Sequence, residues 1–264
     1  MFDHFLQMWH LTPDGEPIVT HSSHLLPVRQ GITPAMLKIA REAEEKFGGA
    51  LMVWWDGEGA AQGLAQEGDA LLLERAQGAR NLVEMVHAGQ DDESSHILCD
   101  VIARLHAPRS KSLPELVPLT HWFQELFPLA KQEGGVLARA ATVARELLAH
   151  PQDVGVLHGD IHHQNVLDFG ARGWLAIDPK RLHGERGFDY ANIFCNPDGT
   201  TALKPGRLAR QVDVVASATK LERQRLLQWI VAWSGLSAAW MMRDGTATPD
   251  NLKITELAWA ELNR

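Results

Sequence analysis

The sequence predicts a two-lobed α+β protein. A small antiparallel-sheet lobe spans residues 1–79, with a hinge at 74–79, and a larger, mostly helical lobe spans 80–264. Three observations carry that expectation. Short apolar segments separated by turn residues fill the first eighty positions. Helical periodicity takes over from Asn81. Two β-like stretches then interrupt the helices between residues 154 and 180.

In order along the chain, residues 9–40 contain two turn signals, Pro13-Asp14-Gly15 and Gly31, between segments that can pair as antiparallel strands. Residues 40–47 predict a short helix ended by Gly48-Gly49. ALMVWW (50–55) and DALLLER (69–75) read as two strands joined by a Gly-rich turn, with one of Trp54 and Trp55 facing the core. In ESSHILCDVIARLHA, Ile97, Val101, Ile102 and Leu105 fall at helical spacing, with Ser94 or Ser95 as a cap. WFQELFPLA and VLARAATVARELLAH predict two further helices. VGVLHGD and GWLAIDP are the interrupting strands. QWIVAWSGLSAAWMM (228–242) is apolar on nearly all sides and predicts a buried helix.

Composition narrows the function classes. The 264 residues hold 25 Lys+Arg and 33 Asp+Glu, a net charge of −8, and no basic stripe, which argues against a nucleic-acid partner. No stretch approaches the roughly 18 apolar residues of a membrane span. The opening MFDHFLQMWH lacks the pattern of a secretory signal. Cys99 and Cys195 read as buried thiols in a reducing cytoplasm, so a cytoplasmic protein is expected. The acidic excess is uneven, −6 over residues 1–79 and −2 over 80–264.

The densest group of reactive side chains is His158-Gly159-Asp160-Ile161-His162-His163-Gln164-Asn165, followed by a strand ending Ile177-Asp178. Phosphoryl transfer needs an acid to orient or deprotonate the attacking hydroxyl, and an amide oxygen and a carboxylate to hold Mg²⁺ on the nucleotide phosphates. Asp160, Asn165 and Asp178 supply those groups in that order. The same loop also allows a metallohydrolase, with Asp178 and His183 as additional ligands.

The loop and strand resemble the H-G-D-x-H-x-x-N and I-D motifs of the aminoglycoside phosphotransferase group in the protein-kinase-like superfamily, at His158, Gly159, Asp160, His162, Asn165, Ile177 and Asp178. PKRLHGERGFDYAN, Trp9-His10, Thr20 to Ser23, LLLERAQG, the RLHA helix end and LSAAW are similar to the streptomycin 6-phosphotransferase and hydroxyurea kinase branch. The resemblance implies ATP and Mg²⁺, with Asp160 as the catalytic acid, Asn165 and Asp178 as metal ligands and His162 bracing the loop. Asp189 would tie back to that loop. Lys38 would hold the α/β-phosphates with Glu45 as its partner, or Glu42 or Glu44. Ser22 and Ser23 fall where the phosphate loop belongs, and the backbone from Glu74 to Ala76 would meet adenine.

Two motifs are decoys. Asp168-Phe169-Gly170 begins three residues after Asn165 and reads as a hairpin turn. Gly57, Gly59 and Gly63 lack dinucleotide spacing and read as a hairpin. Ten residues between Asp178 and Asp189 leave no room for a peptide-binding activation segment, so a small-molecule acceptor is expected. Streptomycin-type aminoglycosides come first by resemblance. Hydroxyurea or another hydroxylated metabolite is the alternative, and a non-catalytic nucleotide-binding protein is the other class. A polycationic acceptor calls for carboxylates, and Glu185, Asp244, Asp250 and Glu256 are the candidates to cluster.

Overall fold

The structure, a computed structural model, describes residues 1–41, 43–246 and 249–264; the side chains of 43–47 and 249 lie outside the description. After a short helix α1 (Asp3–Met8) come strands β1 (Leu11–Pro13), β2 (Ile18–Val19), β3 (Ser23–Gln30) and β4 (Thr33–Ala40). Helix α2 (Ala43–Trp55) follows, then β5 (Gly63–Glu67) and β6 (Ala70–Glu74). The sheet order is β1-β3-β4-β6-β5, all antiparallel, with β2 on β3. The period-2 alternation gives this sheet two apolar faces. Leu26, Val28, Leu37 and Leu72 pack with the aromatics of α1, whereas Leu71 and Leu73 face the opposite way. Lys38 of β4, which pairs with Leu71 of β6, shares that second face.

The segment 40–55 departs from the expectation of a short helix and a strand. It folds as one helix running through Gly48-Gly49. Leu51, Met52 and Trp55 form its fully buried stripe, at the spacing of a helix face. A Cβ at Gly48 would stand 2.4 Å from the carbonyl oxygen of Pro179. The glycine therefore permits α2 to lie directly on the chain beside Asp178, and tertiary packing overrides its helix-breaking tendency. The strand partner of 70–74 is 63–67, not 50–55.

The rest of the chain forms α3 (Leu82–His87), α4 (Asp91–Leu105), β7 (Val117–Pro118), α5 (Leu119–Trp122), α6 (Leu126–Glu133) and α7 (Gly135–Ala149). Strands β8 (Val154–Leu157), β9 (Val166–Asp168), β10 (Trp174–Ala176) and β11 (Leu182–Glu185) come next. Helices α8 (Gly187–Ala191), α9 (Gly199–Ala202), α10 (Arg207–Thr219), α11 (Arg223–Arg243) and α12 (Pro249–Leu262) complete it. Helix α11 is buried along most of its length, as its all-round apolarity requires. Asn81 caps α3 through Val83 N at 2.8 Å. Helix α4 begins earlier than expected. Asp91, Asp92 and Glu93 occupy its first turn, where carboxylates favour the helix dipole, and Ser94 and Ser95 are buried inside it rather than capping it.

Among the described residues no helix is long and apolar enough to cross a membrane.

Candidate active site

Residues 158–165 form a loop between β8 and β9 whose shape is fixed by buried polar groups. The Asp189 carboxylate, from α8, accepts from Gly159 N at 2.7 Å and from His158 N at 2.9 Å. His106, at the end of α4, meets the same carboxylate at 2.8 Å. Burial alone would raise the pKa of Asp189, but the His106 hydrogen bond and the surrounding donors hold it below the usual carboxylate value. Asp189 thus ties back to the loop as expected.

His158 is buried, and desolvation pushes its pKa down to about 4, so the ring is neutral at pH 7. One tautomer satisfies both nitrogens: Nε2–H donates to Ile177 O at 2.8 Å and Nδ1 accepts from Asp160 N at 3.2 Å. His162 is also neutral, lowered to about 4 by burial and by His158, and its Nδ1 accepts from Gln164 N at 3.2 Å. Both histidines brace the loop.

The Asp160 side chain sits between two amides. Asn192 Nδ2 donates to Oδ1 at 3.0 Å and Asn165 Nδ2 donates to Oδ2 at 3.3 Å. Asn165 Nδ2 also donates to Asp160 O at 2.9 Å, which leaves its own Oδ1 as the atom suited to a cation. Ile177 N donates to Asn165 O at 2.9 Å, so the end of β10 brings Asp178 beside Asn165. Asp178 adopts φ +66°, a left-handed conformation that sequence patterns do not reveal. Its carboxylate is about one-third exposed (34%) and pairs with Lys38 Nζ. Two oxygen donors of this kind suit a hard divalent cation such as Mg²⁺.

Lys38 therefore reaches Asp178 from the second face of the sheet. Its expected partner Glu45 has a side chain outside the described residues. Ser22 lies in the turn between β2 and β3 and Ser23 opens β3; Ser22 O accepts from Arg41 N at 2.8 Å, at the end of the Lys38 strand. The Ser23 hydroxyl is buried and, among the described residues, has no hydrogen-bond partner. Glu74 ends β6, and Ala76 lies in the linker to α3.

Asp168 ends β9 and Phe169-Gly170 open the turn of the β9–β10 hairpin, so the motif is a hairpin as expected, and the Asp168 carboxylate accepts from Arg80 Nε and Gly170 N. The Gly57–Gly63 stretch is instead the connection from α2 to β5, and the hairpin follows it. Among the described residues no group of three or more His, Cys, Asp or Glu converges on a metal position. His183 lines a separate groove with Leu119, Leu147 and Trp229. The ligand cluster a metallohydrolase needs is therefore not assembled there.

Beside Asp160 opens a cleft of about 530 Å³, lined among others by Glu125, Asp244, Lys180, Trp122, Trp233 and Trp240. Arg243 pairs with Glu125 and, at 2.9 Å, with Asp244. The four candidate carboxylates do not cluster. Glu185 is buried, accepting from Arg225 Nε at 2.8 Å and Trp229 Nε1 at 2.7 Å, and only Asp244 reaches the cleft. Sequence reasoning missed Asn192, His106, Glu125 and Lys180. The first two lie within DYAN and RLHA, segments already singled out, but only tertiary contacts reveal their roles.

The sequence model of the family described as aminoglycoside/hydroxyurea antibiotic resistance kinase matches residues 8–245. A streptomycin 3''-kinase of Klebsiella pneumoniae is 57% identical over 245 residues, covering 91% of this chain and 92% of the relative. A streptomycin 6-kinase of Streptomyces griseus is 29% identical, covering 94% and 85%. Among solved structures, a choline/ethanolamine kinase family protein of Mesorhizobium loti superimposes with a TM-score of 0.66 at 14% identity, covering 96% of this chain and 87% of that one.

Proposed function

The chain belongs to the aminoglycoside/hydroxyurea antibiotic resistance kinases, and from that membership we propose that it transfers the γ-phosphoryl group of ATP to the 3''-hydroxyl of streptomycin. The observation that carries this reading is the 57% identity to a streptomycin 3''-kinase over nine-tenths of both chains. The position on the acceptor follows that relative rather than the more distant 6-kinase.

In this reading Asp160, held by Asn165 and Asn192, orients the acceptor hydroxyl and takes its proton as the new O–P bond forms and the bond to the β-phosphate oxygen breaks. Lys38 meets the α/β-phosphates, Ser22 and Ser23 border the phosphates, and the backbone from Glu74 to Ala76 meets adenine. Asn165 and Asp178 would hold Mg²⁺. When bound, the ion neutralises charge on the phosphates. The neutral His158 and His162 keep the loop free of added positive charge that would compete for the Asp160 carboxylate.

The cleft beside Asp160 supports a large cationic acceptor over hydroxyurea. Its volume lies in the range of drug-sized ligands. Asp160, Glu125 and Asp244 supply three carboxylates against Lys180 and Arg243, and the half-buried indoles of Trp122 and Trp240 line the same wall.

The test is ADP release by the purified protein with ATP, Mg²⁺ and streptomycin, followed by phosphorus–proton NMR of the product. Coupling to the 3''-proton, and loss of turnover in Asp178→Ala, is the expected result. Phosphate at the 6-position, or turnover with hydroxyurea but not streptomycin, would overturn the acceptor assignment.

A further inference from the structure

The Asp168 side chain has no part in the chemistry above, yet it is buried and fully engaged. Its Oδ1 accepts from Gly170 N at 2.9 Å. Its Oδ2 accepts from Arg80 Nε at 3.0 Å and Arg80 N at 3.3 Å. Its backbone carbonyl accepts from Gly78 N at 2.9 Å. The linker lies so close that a Cβ at Gly78 would stand 2.0 Å from the Asp168 carboxyl carbon. Arg80 completes the contact by lying over the Trp174 ring, 4.9 Å from its centroid. On the other side of the linker, Arg172 at the turn of the same hairpin pairs with Glu74 and donates to Gly57 O at 2.7 Å.

The β9–β10 hairpin thus grips the interlobe connection at residue 74 and again at 78–80; between the two grips, Arg75 pairs with Asp14 at the end of β1. The opposite end of the hairpin is Asn165 before β9 and Ile177-Asp178 after β10. One short, register-locked unit, in which Trp174 pairs with Asp168 and Ala176 with Val166, therefore spans from the linker to the residues assigned to the metal. We propose that Asp168 is a positioning residue for the nucleotide: by fixing 78–80 to the hairpin, it sets the distance between the base-holding linker and Asn165–Asp178. This rests on the reading above that the linker backbone meets adenine. Loosening the Asp168 grip would let base and phosphates fall out of register, which weakens nucleotide binding without removing any group that acts in the transfer step.

The test uses the full chain and three variants, Asp168→Asn, Arg80→Ala and Arg80→Lys. The Arg80 side chain is more than half exposed (57%), so Arg80→Ala is expected to keep the fold even where Asp168→Asn does not. ATP binding by calorimetry without an acceptor, and KM and kcat with the acceptor, are compared with thermal stability. The expected result is an ATP Kd and KM raised about tenfold with kcat and the acceptor KM within about twofold. Arg80→Lys, which restores a donor, should recover part of the loss. Unchanged ATP affinity in Arg80→Ala, or a fall in thermal stability alone, would overturn the proposal. A wild type that binds no ATP would instead overturn the kinase assignment and this positioning role with it.

Discussion

Asp160 is held by two amide donors, so a substitution at this position separates charge from shape. Asp160→Asn keeps the size of the side chain but removes its charge and basicity, and sets its own NH₂ against one of the two neighbouring amides. Phosphotransfer should fall by ~10²–10⁴, the usual worth of general-base help, while the calorimetric affinity for ATP changes little. Equal turnover in the variant would show that another group takes the proton. His158 yields a second expectation. A group whose folded pKa is depressed contributes stability that is present above its unfolded value, near 6.5, and lost as pH falls towards about 4. Denaturant unfolding should therefore show a loss of about 2 kcal/mol between pH 7 and pH 5 from this one ring. His158→Gln should flatten that slope even where it lowers the plateau. At this scale the candidate site was legible as a cluster, because Asp160, Asn165 and Asp178 fall within one short stretch, although their spacing alone left a metallohydrolase open beside a kinase. Asn192 and His106 were not legible as partners, since each acts only through a contact made dozens of residues away.

Among the elements, α2 shows why local signals fail. Gly48-Gly49 is a helix breaker by propensity, and ALMVWW carries the branched and aromatic residues of a strand, so both cues point the same wrong way. What decides the outcome is the burial of Leu51, Met52 and Trp55 on one helical face, together with the closeness of Pro179. A methyl at Gly48 meets backbone rather than a flexible side chain, so α2 or the Asp178-Pro179 turn must shift. Gly48→Ala should accordingly lower kcat/KM by about tenfold or more, through misplacement of Asp178, with a smaller effect on thermal stability. Activity equal to the wild type would mean that the contact relaxes without moving Asp178. The strands of the sheet, by contrast, were legible from alternation and from the Gly31 turn, because antiparallel hairpins are local in sequence.

Across the molecule, charge statistics were a poor guide to the acceptor. The helical part is nearly neutral in sum, yet Asp160, Glu125 and Asp244 meet on one cleft, and sums over a segment carry no information about such convergence. Arg243 neutralises part of that potential by pairing with Glu125 and Asp244. Removing it should strengthen the attraction for a cation. Arg243→Ala is expected to bind streptomycin about two- to tenfold more tightly at low ionic strength, with the gain fading in salt. Weaker binding would mean that Arg243 itself contacts the acceptor. The backbone junction between Gly59–Ala61 and Ala176 carries a consequence of another kind. Ala61 N donates to Ala176 O at 2.8 Å and Ala176 N to Gly59 O at 2.9 Å, while Leu51, Trp55, Leu71 and Leu73 share one continuous core with the helices. The linker at 75–79 is thus a boundary of architecture and not of folding. Heat should melt both halves in a single cooperative transition, and a fragment ending at residue 79 would expose Leu51, Trp55, Leu71 and Leu73 to water and find no native state of its own.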